Sequence, residues 1–344
     1  MKHRIAVIGY GYMGQRHGRE TQESALFELS GIYDVDKARE TLARSEGIRV
    51  FSTVEEVLED RGTDVVLIAT PNHLHCDLAC RCLAAGKHVI CEKPAALNAG
   101  ELRRMLSVAR RAGTLLSAHH NRRWDVDFLA VQSVVQERRL GKLIDLESRV
   151  QGSRGIPKGW RSLPECGGGI LYDWGPHLID QILTLRPRVR VKSVFCQFDS
   201  ITTASVDDGF HLSLSFCDGV RAYLEAATHN FISLPRFYVR GTLGSAVIEN
   251  WRKPCRVVEC AEWDAPFPEN VGPSRTMWPR DADTLKTQTL KIPAVDRYAF
   301  YRNFCAAIEG REESAVSEED LLRLTEVMDA AFASGKSGKA VLLE

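Results

Sequence analysis

An aspartate and a histidine stand four residues apart in Gly167-Gly-Gly-Ile-Leu-Tyr172-Asp173-Trp-Gly-Pro-His177-Leu-Ile-Asp180. On a helix that spacing puts Asp173 and His177 on one face. A neutral imidazole beside a hydroxyl is a suitable general base, and a neighbouring carboxylate can orient it. Asp180, three residues further on, is either a second partner or the outer side of the helix. The glycines before the pair would let backbone approach a ligand closely. A third reactive group is Lys93, in Glu92-Lys93-Pro94, which follows the apolar run His88-Val-Ile-Cys91. At the carboxyl end of a parallel strand it would project into a ligand crevice. Read alone, it is better taken as a surface lysine before a helix.

The chain opens with Gly9-Tyr10-Gly11-Tyr12-Met13-Gly14, directly after the apolar run Arg4–Ile8. A G-x-G-x-x-G motif is weak by itself. Here it follows a strand and opens a helix, the context in which a glycine turn lets backbone approach a dinucleotide pyrophosphate. Asp34 comes twenty residues after Gly14, where a second strand ends. A carboxylate there accepts hydrogen bonds from the adenosine ribose diol and repels a 2′-phosphate, which favours NAD over NADP. Its alternative role is a turn or helix cap. Ala69-Thr70-Pro-Asn72-His-Leu-His75 ends a further strand. Thr70 and Asn72 could contact a cofactor ribose or cap the helix. His73 and His75 on a loop without an acid cluster make a poor metal site, so no metal is expected.

These residues need elements to hold them. Leu29–Tyr33, Asp64–Ala69, His88–Cys91 and Leu115–Ala118 read as buried strands after Arg4–Ile8, with helices over 11–23, 74–85 and, behind an Asn98–Glu101 capping box, up to about 111. The alternation predicts a doubly wound parallel sheet, a Rossmann domain over 1–121. After a helix at about 125–139 the pattern changes. Phe210, Leu212, Leu214 and Phe216 alternate with His211, Ser213 and Ser215, and Val220, Ala222, Leu224 and Ala226 continue the theme. That predicts an α+β domain over 122–344 with a large, mostly antiparallel open sheet. Its small polar face suits a partner subunit. A helix at 169–183 interrupts the strands, 251–286 reads as a long loop, and closing helices at 296–309 and 317–334 are expected to pack back on the first domain.

Composition bounds the alternatives. With 45 Lys+Arg against 45 Asp+Glu in 344 residues, nothing favours nucleic acid or an acidic membrane surface. The ten cysteines form no C-x-x-C pair, which points to free thiols in a reducing compartment. No apolar run reaches a membrane span and none reads as a signal peptide, so the expected location is the cytoplasm.

Taken in order, G-x-G-x-x-G, T-P-N-H-x-H, Glu92-Lys93-Pro94 and G-G-G-x-x-x-D-x-G-x-H-x-x-D resemble the Gfo/Idh/MocA dehydrogenases over nearly the whole chain. The resemblance implies an NAD(P)-dependent oxidoreductase acting on a secondary hydroxyl of a sugar or cyclic polyol, with Lys93 as the catalytic lysine and Asp173 and His177 beside it. It also implies a homodimer or homotetramer. Asn121, Trp160 and Arg161 would line the nicotinamide and substrate pocket. Arg122, Arg123, Trp124, Tyr172 and Tyr238 are further substrate candidates, mixing aromatic faces with guanidinium groups. Two other functions compete: an NAD-recycling lyase, glycosidase or epimerase of the same fold, and a regulatory protein that binds NAD without turnover. A sensor would need none of the three reactive residues.

Overall fold

A computed structural model describes residues 2–264, 279–291 and 293–343. Strands β1 (His3–Ile8), β2 (Phe27–Tyr33), β3 (Val65–Ile68), β4 (His88–Cys91) and β5 (Leu116–Ala118) form a parallel sheet in the order β2-β1-β3-β4-β5. The order reverses at β1/β3, which opens a crevice above the carboxyl ends of those strands. Ile5 to Ile8 and Val65 to Ile68 are fully buried, as an apolar run covered on both faces must be. Helices α1 (Tyr12–Glu23), α2 (Lys37–Ser45), α3 (Val54–Glu59), α4 (His75–Ala84) and α5 (Ala99–Ala112) connect these strands. Asn98 caps α5 by accepting from the Glu101 amide at 2.9 Å. The Glu101 carboxylate reaches back to the Leu97 amide rather than to Asn98, so the expected capping box is only half formed.

A nine-stranded sheet follows. Its strands are β6 (Leu143–Gln151), β7 (Val191–Asp199), β8 (Gly209–Phe216), β9 (Arg221–Ala227), β10 (Phe237–Gly241), β11 (Gly244–Ile248), β12 (Arg256–Cys260), β13 (Leu285–Thr289) and β14 (Val341–Leu342). Their order is β13-β12-β11-β10-β6-β9-β8-β7-β14, and only β6 and β9 run parallel. The period-two reading of β8 holds: Phe210, Leu212, Leu214 and Phe216 are buried, while His211 is exposed and Ser213 and Ser215 are half-buried. Helices α6 (Val126–Gln136), α7 (Ile170–Leu185) and α9 (Glu318–Ser337) supply side chains to the core on the apolar face, among them Val131, Ile179, Ile182, Val327 and Met328. Each such side chain, fully buried, contributes roughly 2 kcal/mol.

Two expectations need correction. Residues 251–286 are not simply a loop, because β12 and the first residues of β13 lie inside that span; 265–278 fall outside the described residues. Their short, partly exposed edge strands carry little apolar alternation to read. The short helices α2 and α3 were not foreseen either. Helix α8 (Ala299–Ile308) places Phe300, Tyr301 and Phe304 in the core of the parallel sheet, and α9 bridges both cores, with Leu321 in the first and Leu324 in the second.

Candidate active site

A cleft of about 900 Å³ lies along the carboxyl ends of β1 to β5 and reaches α7. Gly9, Gly11, Tyr12, Met13, Asp34, Thr70, Asn72 and His75 line one end. Gly9 sits at φ +92°, and a Cβ there would lie 2.7 Å from the Ala69 carbonyl. A Cβ on Gly14 would collide with the Gly9 carbonyl. These two glycines make the turn and let α1 pack against it. Gly11 is different: a Cβ there meets nothing within 4 Å among the described residues, so its side of the turn stays open to the cleft it lines. No side chain caps α1 and no acidic residue stands in its first turn, which leaves free N–H groups and positive potential facing the cleft. The Asp34 carboxylate accepts from the Tyr10 and Asp36 amides at 2.5 and 2.8 Å, which fixes it at the tip of β2. A turn, an open helix N-terminus and an oriented carboxylate fit a dinucleotide.

The other end carries the reactive side chains. Lys93, which precedes a cis peptide bond to Pro94, donates to the Asp173 carbonyl at 2.6 Å and to its Oδ1 at 2.9 Å. Arg161 Nε lies 3.4 Å from the same oxygen. Burial pushes the Asp173 carboxyl up, but the Lys93 and Arg161 charges outweigh it and hold the group below its ordinary range. His177 is 8% exposed, and its Nδ1 is buried with no partner among the described residues. Burial, then the Lys93 and Arg122 charges, hold its pKa well below the ordinary histidine value, so the ring is neutral.

Neither expected carboxylate orients His177. Asp173 is taken up by Lys93 and Arg161. Asp180 is buried and receives Arg123 through both oxygens, at 2.6 to 3.1 Å. The expected approach of the Gly167–Gly169 backbone to a ligand is also absent: these amides donate to Pro164, Leu163 and Arg161 carbonyls within the chain.

Beneath Lys93 lies a closed network that sequence reading missed. Glu92 Oε1 meets His17 Nε2 at 2.8 Å and His119 Nδ1 at 3.2 Å, and the second ring nitrogen of His17 meets the Tyr301 hydroxyl. Burial raises the Glu92 carboxyl, yet His119 and His17 together hold it well below its usual range. The three groups have the composition of a metal site, with one ligand atom each within 4.8 Å of the others. Their mutual hydrogen bonds already account for those atoms, and the carboxylate also receives the Lys93 amide at 3.1 Å.

The structure brings Lys93, Glu92, Asn121, Arg122, Trp160, Arg161, Asp173 and His177 together in the cleft. Asn72 and His75 line it but are also structural: Asn72 donates to the Gly167 carbonyl at 2.8 Å, and His75 spans the Pro94 and Thr70 carbonyls. Four substrate candidates lie elsewhere. Arg123 pairs with Asp180 and Asp320, and Trp124 packs on Phe300. Tyr172 packs on Phe332 and donates to the Leu97 carbonyl, and Tyr238 stands beside Glu147 of the neighbouring strand β6 in the large sheet. The Tyr10 ring is buried, with its hydroxyl on Glu46, so only its backbone serves the turn. Unanticipated lining residues include Arg39, His119, Pro157 and Trp174. Trp174 was findable, since it stands three residues before His177 on the same helix; Arg39 was not, because it follows Asp34 by a turn of unknown path.

Residues 3–120 match the GFO/IDH/MocA oxidoreductase family with its NAD-binding Rossmann fold, and 128–247 match the GFO/IDH/MocA C-terminal domain. The chain is 29% identical to scyllo-inositol 2-dehydrogenase (NADP(+)) of Bacillus subtilis, over 99% of this chain and 96% of that one. It is 31% identical to 1,5-anhydro-D-fructose reductase of Ensifer adhaerens, over 60% of this chain and 64% of the relative. A solved NAD-binding protein from Listeria innocua superposes with a TM-score of 0.89 at 35% identity, covering 99% of this chain and 97% of that one. No helix among the described residues is long and apolar enough to cross a membrane.

Proposed function

We propose that this chain, which belongs to the GFO/IDH/MocA oxidoreductase family, is an NAD-dependent dehydrogenase that oxidises a secondary hydroxyl of a sugar or cyclic polyol to a ketone. The observation that carries this reading is the convergence of Lys93, Asp173 and His177 at one end of a cleft whose other end suits a dinucleotide. Relatives named for an inositol and an anhydro sugar support the substrate class.

A bound nicotinamide supplies the hydride acceptor. The chain's own residues handle the oxygen. Lys93 uses two of its three N–H donors on Asp173 and keeps one for the substrate hydroxyl, where its charge stabilises the developing alkoxide. His177 is neutral and lines the cleft, so a ring nitrogen that faces the cleft is able to take the hydroxyl proton. Asp173 balances the lysine charge and fixes the position of the ammonium. At the far end Asp34 favours NAD: it is aimed by two amides, accepts from a ribose diol and repels a 2′-phosphate. Arg39 also lines that end and lies 3.9 Å from Asp36, close enough for Asp36 to offset its charge. The outer face of the large sheet, with Glu147, Arg149, His211, Ser213, Tyr223 and Glu225, is read as the seat of a second copy.

The test is NADH formation with a panel of hexoses, inositols and sugar acids. Lys93→Ala and His177→Ala should each lower kcat by about 10²-fold or more while NADH binding persists. Near-native turnover in both variants overturns the assignment, and a wild-type preference for NADP⁺ overturns the role given to Asp34.

A further inference from the structure

Arg122 stands at the reactive end of the cleft on an aromatic support. Its guanidinium carbon lies 4.7 Å from the Trp174 ring centre and 5.2 Å from that of Trp251, and the two rings are 6.2 Å apart. Trp251 is held in turn by the buried Arg236, 4.3 Å from its centre, which pairs with Asp127 at 3.2 Å. The Arg122 carbonyl receives Gln181 at 2.9 Å. The guanidinium is therefore fixed by packing, yet it is poorly satisfied. Nη1 donates to Asp125 at 2.8 Å, and Nε is buried without a partner among the described residues.

Arg161 repeats the arrangement on a smaller scale. It lies over Trp160 at 4.5 Å, and its Nε is 3.4 Å from Asp173 Oδ1. Guanidinium groups only donate, and the Arg122 and Arg161 side chains, 28% and 33% exposed, line the cleft with donors to spare. Sugar hydroxyls both donate and accept, so a neutral sugar would not need two such groups. A carboxylate accepts only, and it matches the guanidinium fork.

We infer that the substrate is an acidic sugar or polyol, whose carboxylate seats on Arg122 with Arg161 beside it while the reacting hydroxyl lies at Lys93 and His177. The inference rests on the dehydrogenase reading and deepens it. A monovalent carboxylate suits the site better than a phosphate dianion, because the cations Lys93, Arg122 and Arg161 face the carboxylates Asp125 and Asp173, which leaves a net of one positive charge. The substrate charge also serves the chemistry. Lys93 and Arg122 both disfavour an imidazolium at His177, and an anion on Arg122 weakens that field as the proton arrives. The step balances: the carbinol C–H leaves as hydride to NAD⁺, the O–H proton goes to His177, a C=O forms, and the carboxylate is unchanged.

The experiment compares matched sets, a hexose with its hexuronate and its 6-phosphate in several configurations, by NADH formation. Calorimetric titration of each compound into enzyme saturated with NADH measures binding apart from turnover. For at least one configuration the hexuronate should exceed the hexose in kcat/KM by about a hundredfold. Arg122→Gln should lower kcat/KM for the acid about a hundredfold more than for the neutral partner, mainly through KM. Arg122→Lys, which keeps the charge and loses the fork, should fall between, and thermal melting identifies any variant that fails to fold. An equal or better neutral hexose, an equal loss for both partners in Arg122→Gln, a preference for the phosphate, or binding of no member each overturns the inference. An acid that binds through Arg122 and is never oxidised supports the carboxylate seat and overturns the dehydrogenase reading instead.

Discussion

Two helices that border the cleft begin after glycine-rich runs, and the runs do opposite things. Before α1, the helix N-terminus is uncapped and Gly11 faces open space. Before α7, the amides of Gly167, Gly168 and Gly169 go to Pro164, Leu163 and Arg161 carbonyls at 2.9 to 3.0 Å. Ile170 donates to the Asp207 carbonyl at 3.0 Å, and Leu171 to the Asp207 carboxylate at 2.6 Å. A Cβ on Gly168 would lie 2.5 Å from the Arg161 carbonyl, and one on Gly169 would collide with Asp207 Oδ1. In the first run Gly9 and Gly14 clear space for the protein's own chain while Gly11 faces the open cleft; in the second, Gly168 and Gly169 both clear space for the protein's own chain. Helix α1 therefore offers its terminus, whereas α7 offers side chains, with Asp173 and His177 aimed by a tightly closed start.

The contrast breaks or holds on two substitutions. Gly169→Ala places a side chain at φ +107° and against Asp207, so it should cost about 3 kcal/mol of stability in chemical denaturation. A loss below about 1 kcal/mol would mean the start of α7 is not closed as described. Gly11→Val is the mirror case. Gly11 has φ −71° and ψ −161°, which any residue adopts, and its Cβ direction is empty. Its melting temperature should stay within about 1 °C of the parent, while NADH affinity by fluorescence titration falls about 100-fold, a difference of ~2.7 kcal/mol. Unchanged affinity would remove the dinucleotide from that end of the cleft.

The same contrast explains what was legible in the sequence. The α1 end is written in contiguous residues, because a turn and a helix N-terminus are local features; Gly9, Gly11 and Gly14 and the strand-end Asp34 could be read directly. The parallel sheet was legible from its buried runs, and β8 from its period of two. At the α7 end, spacing showed that Asp173 and His177 share a helix face but not what each one meets. Lys93 and Asp173 are eighty residues apart, and Arg123–Asp180 and His17–Glu92–His119 are likewise long-range pairings that no local pattern encodes. For that reason the glycine run was read toward a ligand when it is closed by its own chain, and Asp180, read as a second partner or as the outer side of the helix, is instead buried against Arg123. Arg123, Trp124, Tyr172 and Tyr238 were chosen by residue type alone, and residue type does not say which way a side chain points.

Asp207 gives the smallest and most diagnostic effect, because it closes α7 with a charge that the site disfavours. Burial pushes its carboxyl up to about 6; the Leu171, Asp207 and Ile170 amides oppose the shift, and neighbouring Asp208 adds to it. The unfolded value is near 3.9. Between these values the folded chain binds more protons than the unfolded one, so stability falls as pH rises from about 4 to 6 and stays lower above that. Asp207→Asn keeps an oxygen acceptor for the Leu171 amide and removes the charge. It should match the parent near pH 4 and exceed it at pH 8 by about 1 kcal/mol, or roughly 2 °C in Tm, after allowance for solvent screening. Melting curves across that range check the sign. A variant less stable than the parent at pH 8 would show that the ionised carboxylate, and not the amide hydrogen bond alone, holds α7 closed and its side chains in the cleft.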